Sequence, residues 1–495
     1  MSQNEWSTLH WQRRLETFGK NDSAILSSDL KNDPSKICES GEITDKGRET
    51  TLALGSRLRT LYVSQLAYLP SEISQTTLLH LRASPMPRAL ASVQQVFAGL
   101  YPIDKRTASF TPPPINSRIE SEETIYPNTA ACKRFRELVA AFADRTAQRW
   151  NNTPEMAYLN TKLSKYMPQS SPRVKVDSHP RLSGIMDTIN STSAHGPATR
   201  LPSAFYDPKL LSIVNRIGVE EWFSGYADNA EYRTLGIGAL AGDLVEQLIL
   251  RADPHSKQDP LSSTPSSAKI TLSGCHDTTL ASLLTSLDAF PEGIWPPYTS
   301  HLAIELFKDP SATPSPNQRN NPLAQRATQE KQRGALLSYL LPTRSPQPIA
   351  RRPLTELSEA EKARLKGWYV RLRYNDSIVQ IPACRPKGKH WAGPPQPPQR
   401  SPTAIGLDTT NLRAGGLGSS DAFGGAKPID EIKTTVVGAA DEGGDTSFCT
   451  LEAFKSVVDG FTPRNWRDEC VRNVGKPAGA GIQAPVEGAG RPAQG

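Results

Sequence analysis

No apolar run in this sequence is long enough to cross a bilayer: the most apolar stretch, residues 235–250, is broken by Asp243 and Glu246 and reads as a packed helix. No signal-peptide pattern opens the chain, and no destination follows from that. Zinc-spaced Cys/His clusters, a Walker phosphate loop and a dinucleotide fingerprint are all missing, so neither metal nor cofactor is expected. Basic residues (57) barely outnumber acidic ones (50), and the net charge of +7 is spread over 495 residues without an aromatic-interleaved basic stripe. That balance favours small anions weakly and gives no support for nucleic acid. The length allows one large core or two modest ones.

Against these absences stands one segment rich in chemistry. In Ile270-Thr271-Leu272-Ser273-Gly274-Cys275-His276-Asp277-Thr278-Thr279-Leu280, apolar residues alternate and then recur at helical spacing through Leu283, Leu284 and Leu287. The pattern predicts a strand, a turn bearing His276 and Asp277, and a helix. Ligands of α/β proteins bind at that edge of the sheet, where free helix N–H groups favour an anion. A His-Asp pair there suits phosphate-ester chemistry, although a turn that merely caps its helix would look the same. Residues 76–100 repeat the arrangement. Arg82 and Arg88 fall at a strand's end and a helix's start, Pro87 takes a first-turn position, and Leu90, Val93, Phe97 and Leu100 follow at helical spacing. Alone, Arg88 would be a surface residue and Asp277 an N-cap; two such units are harder to dismiss.

With three further segments in order, these units resemble the histidine acid phosphatases, a branch of the histidine phosphatase superfamily. Ile43-Thr44-Asp45-Lys46-Gly47 is similar to the family's Leu-Thr-x-x-Gly helix start, and Leu81-Arg82-Ala83-Ser84 through Arg88 to its Arg-Ser-Thr-x-x-x-Arg segment. Gly274-Cys275-His276-Asp277-Thr278-Thr279 is similar to its His-Asp-Thr-Thr segment, and Trp295-Pro296-Pro297-Tyr298 with the run from Leu302 to Phe307 to the strand that follows. Gly367-Trp368-Tyr369-Val370-Arg371-Leu372-Arg373-Tyr374-Asn375 resembles its penultimate hairpin. The likeness covers residues 40–470 and is greatest to fungal-type members and the mitochondrial lysophosphatidic acid phosphatases.

The resemblance implies an α/β fold of the phosphoglycerate mutase type, with a central, mostly parallel sheet flanked by helices and a helical cap insertion. It implies a phosphomonoester hydrolase that works through a phosphohistidine, needs no cofactor, and acts on a small phosphomonoester such as a lysophospholipid or a sugar phosphate. Arg88 matches a phosphate-binding arginine, His276 a histidine that donates to a phosphate oxygen, and Asp277 the proton donor to the leaving group. Structural pairing near the site is the expected role of Arg82. Of the six cysteines, the resemblance pairs Cys132 with Cys470 and Cys384 with Cys449; cysteine count alone would not. Cys275, between Gly274 and His276, is expected to be a small buried residue.

One family element has no counterpart. The segment Arg-His-Gly-x-Arg-x-Pro, whose histidine takes the phosphoryl group, is not found. In residues 1–43, Trp6, Leu9, Trp11, Leu15 and Phe18 suggest a helix or a covering segment instead. His10 lacks the glycine and proline that should follow, and His195, in Ala194-His195-Gly196-Pro197, is placed as a loop or rim residue far along the chain. The expectation is a truncated gene model that begins part-way through the domain, inactive as written. A missing N-terminal segment would allow a secretory or mitochondrial destination. The alternative is a pseudophosphatase that binds phosphate compounds or partners without turnover.

The organisation expected is a remnant at 1–43, a phosphatase domain at 44–470 and a disordered tail at 471–495. Within the domain lie helices over 44–66, 85–100, 132–150, 208–223 and 235–251, the cap at about 105–252, and a polar loop at 251–267. Two segments poor in hydrophobic period, 309–333 and 387–445, are expected as exposed loops; the second separates Cys384 from Cys449.

Overall fold

Alternation gives way to helical periodicity twice in the sequence, and both times the backbone changes element there. The computed structural model describes residues 41–253, 264, 267–290, 293–311, 349–393 and 444–478, with the backbone of two short strands nearer the start. Those two, β1 (Glu16–Phe18) and β2 (Ala24–Leu26), pair antiparallel. Phe18 therefore lies in a strand, which corrects the helical option for that stretch: its apolar residues fall in two short clusters separated by the polar residues 19–23. The remainder of 1–40, residues 312–348, residues 394–443 and residues beyond 478 lie outside the described residues, so the disorder and loop expectations there are not addressed.

The strands β3 (Leu79–Ala83), β4 (Ile115–Asn116) and β5 (Ile270–Gly274) form a parallel sheet in the order β4-β3-β5. A second, antiparallel sheet contains β6 (Leu302–Lys308), β7 (Trp368–Tyr374), β8 (Ser377–Val379), β9 (His390–Trp391) and β10 (Asp445–Thr450) in the order β6-β7-β10-β9, with β8 on β7. The expected α/β fold is present, and its parallel part is confined to three described strands. β3 is buried along its whole length, whereas β5 and β6 are only half-buried although rich in Ile and Leu. Strands covered on both faces read as near-continuous apolar runs, so the openness of these two marks a gap beside them.

Helix α1 (Asp45–Arg59) packs on α2 (Pro87–Leu100), and α2 packs against both β3 and β5. Thr44 caps α1 by accepting the Gly47 N–H at 3.1 Å, and a π-helical segment, Thr60–Gln65, continues it to the predicted end. The two helices touch through glycine. A Cβ on Gly55 would sit 2.1 Å from the Val96 carbonyl oxygen, and one on Gly99 equally close to that of Leu52. On α2, Ala89, Val93, Val96, Phe97 and Leu100 are buried, each large side chain contributing about 1.5–3 kcal/mol.

Between β4 and β5 the chain is helical: α3 (Lys133–Trp150), α4 (Pro154–Leu163), α5 (Leu182–His195), α6 (Pro208–Asp228), α7 (Ala230–Arg233) and α8 (Ala239–Ala252). Then α9 (Asp277–Ser286) follows β5, α10 (Glu359–Ala363) precedes β7, and α11 (Leu451–Asp459) and α12 (Trp466–Val471) follow β10. One buried cluster joins Phe135 and Phe142 of α3 and Leu284 of α9 to Val370, Leu372 and Phe454, so helices and antiparallel sheet share a core. Both cysteine pairs implied by the resemblance are bonded, Cys132–Cys470 and Cys384–Cys449. No described helix is long and apolar enough to cross a membrane.

Candidate active site

β3 and β5 run level, in register from Leu79 opposite Ile270 to Ala83 opposite Gly274, so the turns that follow them stand side by side. The Ser84 N–H donates to the Gly274 carbonyl at 3.2 Å and carries the pairing one residue further. Gly274 makes a close approach possible: a Cβ there would lie 2.4 Å from the Ala89 carbonyl oxygen. Without a side chain, the end of β5 closes on the first turn of α2, which brings Ser84 and Arg88 towards His276.

His276 is the N-cap residue of α9, and its backbone N–H donates to Thr279 Oγ1 at 3.3 Å. Its Nε2 lies 2.8 Å from Ser84 Oγ, and the Tyr126 ring meets it edge-on at 5.4 Å. Burial, and then the Arg88 charge, pushes His276 down to about 4, so the imidazole is neutral at mildly acidic pH. Asp277 opens α9 and is held by two donors: Oδ1 accepts the Thr278 N–H at 2.7 Å and Oδ2 the Trp295 Nε1–H at 2.8 Å. Arg88 sits in the first turn of α2 behind Pro87, its own N–H donating to the Gly41 carbonyl at 3.1 Å.

Arg88, His276 and Asp277 line one cavity of about 3070 Å³. Every residue of β5 and of β6 also lines it. Both pleat faces of each strand contribute, as expected for a space that runs along strand edges and not over a sheet face. Neither β5 nor β6 has a hydrogen-bonded strand on that edge, among the described residues. Leu54 and Leu58 of α1 line it too, as do Leu244 and Leu248 of α8. The recess is thus a slot between the two sheets, apolar in its depth, with the polar groups at the C-terminal end of β5.

Arg82 turns away from this chemistry. Its Nη2 pairs with Glu123 Oε1 at 2.6 Å and its Nη1 approaches Asp243 Oδ2 at 3.8 Å; Glu123 is buried and also accepts the Thr124 and Ile125 N–H groups. Arg118 and Arg351 also converge on Asp243. Arg82→Met would leave Glu123 buried and unpaired, and is expected to cost about 3–5 kcal/mol in urea unfolding, with the slope unchanged. A loss below about 1 kcal/mol would mean the pair contributes no net stability.

Two further groups reach the cavity: Asp187, from the middle of α5, which no local pattern announced, and Tyr298, from the turn before β6, legible only as part of a matched segment. Tyr298 stands beside Asp187, close enough for the two groups to interact electrostatically. Burial first, then the Asp277 charge, raises Asp187 above the usual carboxylate range. Cys275 is poorly suited to attack, since burial and then Asp277 push its thiol up to about 12. His195 ends α5 at the cavity rim beside Thr199, and His301 pairs with Asp376 at 3.3 Å. Among the described residues no group of three or more His, Cys, Asp or Glu side chains is arranged to hold a metal.

A family model described as histidine phosphatase superfamily (branch 2) matches residues 3–326. A Schizosaccharomyces pombe protein described as a probable acid phosphatase is 35% identical over 387 residues, 78% of this chain and 78% of its own length. Human lysophosphatidic acid phosphatase type 6 is 24% identical over 271 residues, 54% of this chain and 57% of that protein. Among solved structures, the apo form of a Hafnia alvei phytase covers 88% of this chain and 89% of its own, at 11% identity and a TM-score of 0.48.

Proposed function

The chain belongs to branch 2 of the histidine phosphatase superfamily, among its acid phosphatase-like members, and from that premise we propose a phosphomonoester hydrolase acting through a phosphohistidine. The observation that carries this reading is the shared opening of Arg88, His276 and Asp277 into one cavity, although 188 positions separate the first two. Arg88 holds two phosphate oxygens with its planar fork. His276 donates Nε2–H to a third, in place of its bond to Ser84, and steadies the charge that builds up in flight. An imidazole attacks phosphorus, the P–O bond to the alcohol breaks, and Asp277 delivers its proton to the departing oxygen. Water then attacks the phosphohistidine and gives a proton back to Asp277, and the N–P bond breaks to release phosphate.

The attacking imidazole is not among the described groups identified at the site. His195 and His301 are engaged at the cavity's margins, and His80 is buried within β3. We propose that the slot between β5 and β6 receives one more strand, ending in Arg-His-Gly-x-Arg-x-Pro, whose final turn stands next to His276. The slot's two open edges and its apolar depth support that placement. They also favour the second reading for the chain without such a strand: a pseudophosphatase that binds phosphate esters and does not turn them over. The phosphate site is tested by calorimetric titration of the full chain with inorganic phosphate. Arg88→Ala is expected to weaken binding at least about tenfold, the worth of one charge-assisted hydrogen bond. Unchanged affinity would remove Arg88, and this reading of the cavity, from consideration.

A further inference from the structure

Helix α5 presents two unlike faces. Leu182, Ile185, Met186 and Ile189 are buried in the core shared with α4 and α6, which fixes the helix's rotation. The opposite face, Asp187, Asn190 and Ser191, lines the cavity that holds His276 and Asp277. Residues three and four apart on a helix are neighbours, so these polar groups form one patch. The same cavity is lined by Tyr298, which interacts electrostatically with Asp187, and by Trp295, whose indole N–H holds Asp277. Trp222 meets Trp295 edge-to-face at 5.9 Å and remains partly open to the cavity. A carboxylate, an amide and a hydroxyl opposite aromatic rings suit an alcohol bearing several hydroxyl groups: the polar groups take its O–H bonds and the rings its C–H faces.

We infer that Asp187, on the cavity face of α5, is the specificity-determining residue for the alcohol half of the ester, and that the site takes phosphomonoesters of neutral polyols. This rests on the proposed phosphate site at Arg88 and His276. A carboxylate beside Asp277 is a poor neighbour for a second phosphate and a good acceptor for a hydroxyl next to the ester oxygen.

The test is calorimetric titration of the full chain with inorganic phosphate, propyl phosphate and glycerol 3-phosphate, which isolates binding from turnover. Wild-type chain is expected to bind glycerol 3-phosphate about tenfold more tightly than propyl phosphate. Asp187→Ala is expected to bring the two ligands within about twofold of each other, and the isosteric Asp187→Asn to give an intermediate ratio. Asp187 points away from the core, so both variants should keep the wild-type circular dichroism spectrum. A wild-type chain that treats the two esters alike, or a preference that survives Asp187→Ala, overturns the inference. Failure of wild-type chain to bind inorganic phosphate overturns the phosphate site itself, and the inference with it.

Discussion

Hydrolysis of an aryl phosphate at acidic pH is expected to be about a millionfold slower with this chain than with the same chain preceded by a strand ending in Arg-His-Gly-x-Arg-x-Pro. In the proposed mechanism His276 and Asp277 polarise the ester and protonate its leaving group, and neither is assigned to receive the phosphoryl group. Asp277 has both oxygens engaged and Cys275 holds its proton up to about 12. The added strand should also raise stability, because it would pair the open edges of β5 and β6. Each backbone group left buried without a partner there costs about 1–3 kcal/mol. In the extended form, Asp277→Asn should slow leaving-group departure and Arg88→Ala should weaken phosphate binding. Rapid turnover by the shorter chain, abolished by His276→Ala, would overturn this account and make His276 itself the attacking group. Inactivity of both forms would favour the pseudophosphatase.

The second large effect concerns Cys132–Cys470, which closes 338 positions and ties the start of α3 to α12. Replacing both cysteines by alanine is expected to cost up to about 5 kcal/mol, since the reduced chain regains the entropy of a very long loop. Cys384–Cys449 closes only 65 positions, and its double-alanine variant should lose roughly 1.5 kcal/mol less. Guanidinium unfolding of the two variants at equal concentration decides this. A larger loss at the shorter loop would show that local packing around Cys384, and not chain entropy, dominates.

The sequence announced what depends on neighbours along the chain. Thr44 caps α1, Pro87 opens α2, and the change of period at Gly274 marks the end of β5, because capping and periodicity are read within a few residues. Helix ends were less legible: α6 runs to Asp228, five residues past the expected end, since Gly225 and Tyr226 continue a helix that burial sustains. Contacts between distant elements left no local trace. The Ser84–His276 bond spans 192 positions, and it exists because Gly274 lets a strand close on a helix. The Trp295 bond to Asp277 was hidden for the same reason, the tryptophan having been legible only as part of a matched segment. Asp187 carried no signal at all, being one polar residue on the open face of an amphipathic helix. The apolar residues near the start misled in one respect: Phe18 belongs to a short antiparallel pair, because hydrophobic spacing over so few residues fits either period.

The unpaired edges of β5 and β6 bear on how this protein behaves in a crowded solution. An open strand edge on a surface invites a neighbouring molecule to add its own strand, and such contacts grow into aggregates. Among the described residues both edges look onto one recess, which Leu54 and Leu58 of α1 and Leu244 and Leu248 of α8 also line. A second molecule reaches them most readily when those helices part from the sheets. Self-association of the folded chain should therefore follow the opening of α1 and α8 away from the sheets, so heat or mild denaturant would precipitate it well before the disulfide-tied remainder unfolds.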